Sequence, residues 1–506
     1  MYRYLLPLML SLALFLSAAA LPKRITSIMD QPKYAHASWG FYAKDSKTGN
    51  VLLDYRSNEL FLPASTTKLF SVAALLHAYG ENYRFKTPVY AIGLLEKGVL
   101  KGSLVLVAQG DLTLGGRQNG KDAISFTPLD HIIANIAPGV TLTKEDPLYA
   151  LNELAKQIRQ RGIKQIEGDI LIDDRLFTTV TKRDMALSPM MLNENLIDII
   201  ISPSSEGQPA YLTWRPMVPG YRVINEVISE KNGEEAAIEI MADETGREIR
   251  VKGIIPVSEK ELVRAFSVQD PLHFARAAFI LALQNQGIVT SFNHEFTLPT
   301  QEYLNQQKPA ALWVSPPLSE YAKLILKVSH NLGADLIPLL LAVKNGGKTF
   351  EEGMLELGKF AMHEVKLKPG TFVLADAAGG DNNRFTPQAE VQLLDYILKW
   401  PQEAFEKFYQ ALPILGIDGS LADFARNTEA VGKVRAKPGT GLTTNFATNQ
   451  FLLTTQALTG FVEAKNGNFI EFMIVVNNGS IDNVLDVLPI FEDQGQIAAI
   501  LFDMTD

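Results

Sequence analysis

The sequence predicts an α+β fold: one antiparallel sheet assembled from the two ends of the chain, helices between, and two smaller nested domains interrupting the middle. Three observations carry this. Alternating strand-like runs stand near both termini, Ser38 to Asp45 and Asn50 to Tyr55 at one end, Ala457 to Ala464 and Phe469 to Asn477 at the other. Segments with helical apolar spacing adjoin them. Between Val89 and Leu298 the character changes, first to an α/β alternation and then to a polar, strand-rich stretch. At 506 residues the chain also exceeds what one hydrophobic core supports.

The elements follow in order. Arg3, the apolar run Leu5 to Leu16 and Ala18-Ala19-Ala20 form the charge, core and small-residue cleavage site of a secretory signal over residues 1–20. The apolar run is shorter than the roughly 20 residues a spanning helix needs. The mature protein is therefore expected to be exported, periplasmic or otherwise extracytoplasmic, with no transmembrane segment and at most peripheral membrane contact. Ser46-Lys47-Thr48-Gly49 closes a hairpin between the first two strands. A helix is expected from about Thr66 to Tyr79, burying Leu69, Phe70, Ala73, Ala74 and Leu76. Val89 to Leu95 and Gly102 to Val107 read as strands, Leu151 to Arg161 as an amphipathic helix, and Gly168 to Ile172 as a further strand. Ala210 to about Val257 is strand-rich and broken by turns such as Lys231-Asn232-Gly233. Phe274 to Gln284 is helical, and Leu298 to Pro309, rich in Pro and Gln, resembles a linker. Helices Tyr321 to Val328 and Leu336 to Val343 precede the closing strands, whose hairpin turn is Lys465-Asn466-Gly467-Asn468. The division expected is 21–88 with 299–506 as the main domain, 89–103 with 199–298 as a β-rich insertion, and 104–198 as a small α/β domain nested in it.

Composition excludes several functions. A formal charge of −9 and a pI near 5.5 provide no basic stripe for nucleic acid. With no cysteine there is no thiol nucleophile, thiolate metal site or disulfide. The seven histidines lack metal spacing: His294-Glu295 and His363-Glu364 have no second His four residues after the first. No metal and no cofactor is expected.

What remains is three short motifs in one order: Ser65-Thr66-Thr67-Lys68, Ser329-His330-Asn331 and Lys437-Pro438-Gly439-Thr440. Together they supply an acyl-transfer site with a nucleophile beside an amine, a second hydroxyl with an amide, and a cation before a bare backbone. Pro63-Ala64 ends any preceding element, so Ser65 starts a helix, where free N–H groups favour a developing alkoxide. Lys68 lies one turn on, on the same face. It acts as a base only when neutral, so burial or a neighbouring cation must lower its pKa, and Lys437 is a candidate for that cation. Ser329, between two apolar helices, suits relay of a proton to the leaving amine, and Asn331 suits holding a substrate amide. His330 is expected at the solvated surface. The other S-x-N, Ser291-Phe292-Asn293, falls in a strand-and-turn stretch. Lys437 attracts a carboxylate, Gly439 admits substrate to the backbone, and the N–H of Thr440 pairs with that of Ser65 as an oxyanion hole. The alternative Lys47-Thr48-Gly49 stands at a hairpin tip ahead of the nucleophile.

The trio resembles that of penicillin-binding proteins and serine β-lactamases. The chain as a whole resembles the class C penicillin-binding D-alanyl-D-alanine carboxypeptidase/endopeptidase family, peptidase family S13. The resemblance extends to Leu62 through Phe70, Tyr83-Arg84-Phe85-Lys86-Thr87, Gln109 to Leu114, Gly168-Asp169-Ile170 with Asp173-Asp174, Asn193-Glu194-Asn195, Asp376 to Gly380 and Gly416 to Leu421. It implies a β-lactamase/transpeptidase-like domain with two nested insertions. It further implies Ser65 as acyl-enzyme nucleophile, Lys68 as its base, Ser329, Asn331 and Lys437 as catalytic partners, and Gly439 and Thr440 as substrate-binding residues. The implied substrates are peptidoglycan stem peptides, losing terminal D-alanine, with D-alanyl-diaminopimelate crosslinks as a second target and β-lactams as covalent inhibitors. A β-lactamase or esterase on the same scaffold, or a catalytically weakened peptidoglycan-binding protein, are the alternatives. Two features depart from the family pattern: Pro438 stands where threonine is usual, and Gly115 to Tyr149 is longer and more polar. The middle of the chain, about Val89 to Leu298, is expected to shape access for a polymeric substrate without building the catalytic centre.

Overall fold

The computed structural model describes residues 21–231, 235–291 and 297–504. The expected signal segment, Asn232-Gly233 of the expected turn, Phe292-Asn293 of the second S-x-N, and His294-Glu295 lie outside the described residues. The two ends of the chain build one five-stranded antiparallel sheet from β1 (Ser38–Asp45), β2 (Val51–Tyr55), β3 (Val434–Asn445), β4 (Gln450–Glu463) and β5 (Phe469–Ile481). Its order is β2-β1-β5-β4-β3, which leaves β3 at an edge. Strand alternation splits the side chains between two cores. Phe41, Ile474 and Val476 face the terminal helices Lys23–Met29 and Val487–Asp503. Ala457, Met473 and Val475 face Phe61 and Val391 on the inner side.

Four helices lie on that inner side: α1 (Thr67–Tyr79), α2 (Leu318–Lys327), α3 (Asn331–Lys344) and α4 (Pro387–Leu398). The sequence predicted an amphipathic α1, yet every residue from Thr67 to Leu76 is buried. A helix buried all round runs through the interior, and this one carries Lys68 and Ser71 into the core. It stops at Gly80, whose φ of 82° suits glycine.

The interrupting segments pair differently from the expected division. Lys86–Glu96 and Val99–Val107 form a hairpin through Lys97-Gly98, both left-handed. Val99–Val107 then pairs in parallel with Ile170–Asp173, and Ala311–Val314 adds to the other edge of the hairpin. The expected boundary between 103 and 104 therefore falls inside a strand. Helix Pro271–Asn285, expected in the β-rich part, packs with helix Tyr149–Gln160 over this sheet through Phe274, Phe279, Leu151 and Ile158. The strands of the polar stretch form two separate three-stranded sheets, within 196–267. They are thus enclosed by the α/β segments, the reverse of the expected nesting. Local composition reports strand propensity, whereas partner choice is a long-range matter that composition does not encode. The expected linker also holds a short helix, Gln301–Asn305, N-capped by Thr300. Among the described residues no helix is long and apolar enough to cross a membrane.

Candidate active site

Ser65 sits in the tight turn Ala64–Thr66 that leads into α1, with Ala64 held at a φ of 46°. Lys68, one turn later, is fully buried. Its Nζ lies 2.9 Å from Ser65 Oγ, 2.7 Å from Asn331 Oδ1 and 2.6 Å from the Ala378 carbonyl oxygen. The amide oxygen and the carbonyl only accept, so the Lys68 amine donates to both. In its neutral form that amine keeps a lone pair to offer the Ser65 hydroxyl, 2.9 Å away. Burial lowers the Lys68 pKa to about 7; Asp335 and Asp376 pull it back up, and Arg183 pushes it down. The cation that sequence reasoning sought in Lys437 is thus Arg183, at the tip of the hairpin formed by Val180–Lys182 and Met185–Leu187 and paired with Asp335 at 3.2 Å. Lys437 is itself fully buried and held well below its usual range, by burial first and by Lys68 second.

The loop bearing Ala378 is rigid for a visible reason. Asp376 Oδ1 accepts the N–H groups of Ala378, Gly379 and Gly380 at 2.9, 2.7 and 3.0 Å. Ala377 offers its carbonyl to Ser71 at 2.6 Å. Gly379 has a φ of 99°, and a Cβ there would meet the Ala64 oxygen at 1.9 Å and the Ser65 nitrogen at 2.8 Å. Only glycine lets this loop close on the Ser65 backbone. The segment Asp376 to Gly380 was visible in the sequence, but a backbone carbonyl carries no letter.

Ser329 and Asn331 lie where α2 hands over to α3. Ser329 is half-exposed with a φ of 60°. Asn331 reaches Lys68, as noted. His330 is fully buried, contrary to the expectation of a solvated ring: it caps α3, with Nδ1 accepting the Gly333 N–H at 2.9 Å. A helix start leaves N–H groups without intrahelical partners, and an imidazole nitrogen meets one of them here.

β3 forms the other wall. The Val434 carbonyl and the Ala436 N–H point away from β4, bonding Leu415 and Pro413 outside the sheet. Strand alternation puts residues 438 and 440 on that same free edge. Pro438 therefore gives up no ladder hydrogen bond. A Cβ on Gly439 would lie 2.3 Å from the Pro63 oxygen and 2.9 Å from the Ser65 nitrogen, so this edge passes directly against the Ser65 turn. The Lys437 amine donates to the Pro438 carbonyl at 2.7 Å, and the Thr440 hydroxyl to Gln456 Oε1 at 2.8 Å. Lys47-Thr48-Gly49 stays at the β1–β2 tip, its first two N–H groups bonded to Asp45.

Sequence reasoning also missed Glu390 on α4. Fully buried, it lies 2.8 Å from Thr66 Oγ1, which is also 3.1 Å from the Pro63 carbonyl. The Thr66 hydroxyl donates to Glu390 Oε1. Burial raises the Glu390 pKa to about 8, against the lowering effect of that hydrogen bond.

The sequence profile of the D-Ala-D-Ala carboxypeptidase 3 (S13) family matches residues 21–488. The D-alanyl-D-alanine carboxypeptidase DacB of Haemophilus influenzae is 24% identical over 401 residues, 76% of this chain and 75% of that protein. A D-alanyl-D-alanine carboxypeptidase of an Actinomadura species is 24% identical over 480 residues, 90% of this chain and 80% of its own. The crystal structure of penicillin binding protein 4 (dacB) from H. influenzae, complexed with a β-lactam, superposes with a TM-score of 0.70. It is 21% identical and covers 95% of this chain and 99% of its own, which establishes a shared fold. With a match over nearly its whole length, the chain belongs to the D-Ala-D-Ala carboxypeptidase 3 (S13) family.

Proposed function

We propose that the protein is a serine-type D,D-carboxypeptidase that removes terminal D-alanine from peptidoglycan stem peptides through an acyl-enzyme at Ser65. The observation that carries the reading is the buried Lys68 amine, which stands 2.9 Å from Ser65 Oγ and donates to Asn331 Oδ1 and the Ala378 carbonyl. Ser65 Oγ attacks the penultimate D-alanine carbonyl as its proton passes to Lys68. The oxyanion forms beside the N–H groups of Ser65 and Thr440, one at a helix start and one on a strand edge that runs against it. Ser329 Oγ–H protonates the departing nitrogen as the C–N bond breaks, and the proton held by Lys68 replaces the one Ser329 gives up. Water then attacks the ester through the same amine and releases Ser65. The Thr440 hydroxyl, on turning away from Gln456, and the Lys437 amine are the donors that take the terminal carboxylate.

Crosslinks in which that nitrogen belongs to a neighbouring stem's diaminopimelate are substrates of the same chemistry. β-Lactams, one of which is bound in the matched H. influenzae structure, acylate the same serine. The signal-like composition of residues 1–20 supports an exported location, where peptidoglycan is. A β-lactamase reading lacks support, because it needs a dedicated deacylating base. The buried carboxyl of Glu390 accepts from Thr66 and is raised by burial to about 8, which does not suit it to that task. Incubation with an acylated peptide ending in D-Ala-D-Ala should release D-alanine. Stable penicillin binding with no D-alanine release would instead mark a peptidoglycan-binding protein with a weakened site.

A further inference from the structure

We infer that His330 is a positioning residue for catalysis: its buried ring, capping α3 and set against the Asp130 that Arg117 fixes, holds Ser329 in the conformation that proton relay requires. The inference rests on the relay role given to Ser329 above.

Ser329 occupies left-handed backbone space that a side-chain-bearing residue seldom adopts, and such outliers persist only when their surroundings over-determine them. Both flanks here are clamped. Two residues before it, Lys327 is buried and grips both carboxylate oxygens of Asp418 at 2.7 Å. Immediately after it, His330 sends its backbone N–H to the Ile325 carbonyl at 3.0 Å and takes the Gly333 N–H on Nδ1. Burial pushes the imidazole down to about 4, so the ring is neutral. With Nδ1 accepting, the single ring proton is on Nε2. That Nε2 makes no hydrogen bond among the described residues and faces Asp130 Oδ1 across 3.6 Å.

Asp130 is not free to move. Arg117 grips both its oxygens, at 2.6 and 2.9 Å, and sends Nε to Glu194 at 2.6 Å. His131 bridges Glu194 and Asp198 at 3.0 and 2.6 Å, and Arg215 closes on Asp198 at 3.1 Å. Arg117, Arg215 and His131, the last raised to about 10 by its carboxylate partners against the opposing effect of burial, balance the three carboxylates. Glu194 itself sits between Asn193 and Asn195, all three left-handed. Burying such a set gains little stability over a packed apolar core. What it does gain is a fixed point, set against the ring that follows Ser329. Arg117, Asp130 and His131 all come from the long polar stretch Gly115 to Tyr149, for which the motifs alone suggest no chemistry. The middle of the chain is thereby tied to the catalytic centre and does more than shape access to it.

The test uses leaving-group chemistry in the intact protein. Departure of an amine needs a proton from Ser329, whereas departure of a thiolate does not. His330→Asn keeps an oxygen where Nδ1 caps Gly333 but removes the Nε2 edge. It should lower kcat on a D-Ala-D-Ala amide at least tenfold, leave KM unchanged, and change kcat on the matching thioester less than twofold. Added to Ser329→Ala, it should lower the amide rate no further. Asp130→Asn, which leaves the ring in place, should lower the amide-to-thioester ratio in the same direction and decides the matter if His330→Asn does not fold. Equal losses on both substrates, an unchanged ratio in a folded variant, or additive losses with Ser329→Ala would overturn the inference. An amide-selective loss absent from Ser329→Ala itself would overturn the relay role on which it rests.

Discussion

Replacing Arg183 by glutamine removes the cation that opposes protonation of Lys68 while sparing every atom the amine touches. Wild-type Lys68, with a pKa of about 7, is neutral in roughly half the molecules at pH 7. Without the guanidinium, Asp335 and Asp376 act on the amine unopposed. Taking a separation on the order of 10 Å and an effective dielectric near 20, a unit charge contributes about 1.7 kcal/mol, a little over one pKa unit. Two effects trim this. Arg183 is partly exposed, and Asp335, already raised by burial, takes up a proton more readily once its partner is gone. A shift of about one unit leaves roughly a tenth of the amines neutral at pH 7. Acylation by a chromogenic β-lactam, followed from pH 5.5 to 9.5, should therefore fall about fivefold at pH 7 and recover fully by pH 9. Arg183→Lys should leave the profile in place. A rising limb that stays where it was, or a deficit that persists at pH 9, would refute the assignment of Arg183 as the cation that tunes the base.

Lys68→Arg keeps the charge but not the base, because a guanidinium does not deprotonate in proteins. It should reduce acylation more than tenfold, and retention of over a tenth of the wild-type rate would reduce Lys68 to an electrostatic role. Pro438→Thr restores a hydroxyl on the free edge of β3. A hydrogen bond to a charged group contributes about 1.5–3 kcal/mol, so acylation by peptide and penicillin alike should quicken about tenfold or more; an unchanged or slower rate means the carboxylate is held elsewhere. Glu390→Gln tests the buried proton. A carboxyl raised from 4.5 to about 8 on folding contributes stability that is fully present below pH 4.5 and lost as pH rises through 8. Wild type should therefore lose several kcal/mol relative to the variant between pH 5 and 9, at about 1.4 kcal/mol per unit. Parallel melting curves across that range would show that Glu390 is ionised throughout.

Much of the site was legible because its chemistry is encoded at short range. Ser65 and Lys68 are one helical turn apart, and that spacing alone brings Nζ to Oγ. The terminal sheet was legible for a similar reason, since alternation marks each strand and the turn residues mark each hairpin. The rest depends on contacts between distant segments. Arg183 reaches the base through a hairpin tip, and the Ala378 carbonyl is a backbone group that any residue type would supply. His330 looked like an exposed turn residue because the residues that bury its ring include Asp130, some two hundred positions away, held in place by Arg117. The nesting of the inserted parts was misread where Val99–Val107 takes a parallel partner at Ile170–Asp173, a pairing that no local pattern announces.

The central claim is that a single serine, activated by a neutral lysine, carries the acyl group. Mass spectrometry of the intact protein after exposure to penicillin, followed by peptide mapping, tests it most directly. One equivalent of adduct on the peptide containing Ser65, absent from Ser65→Ala protein that still melts cooperatively, is the result predicted. An adduct on Ser329, or labelling that survives the substitution, would contradict it.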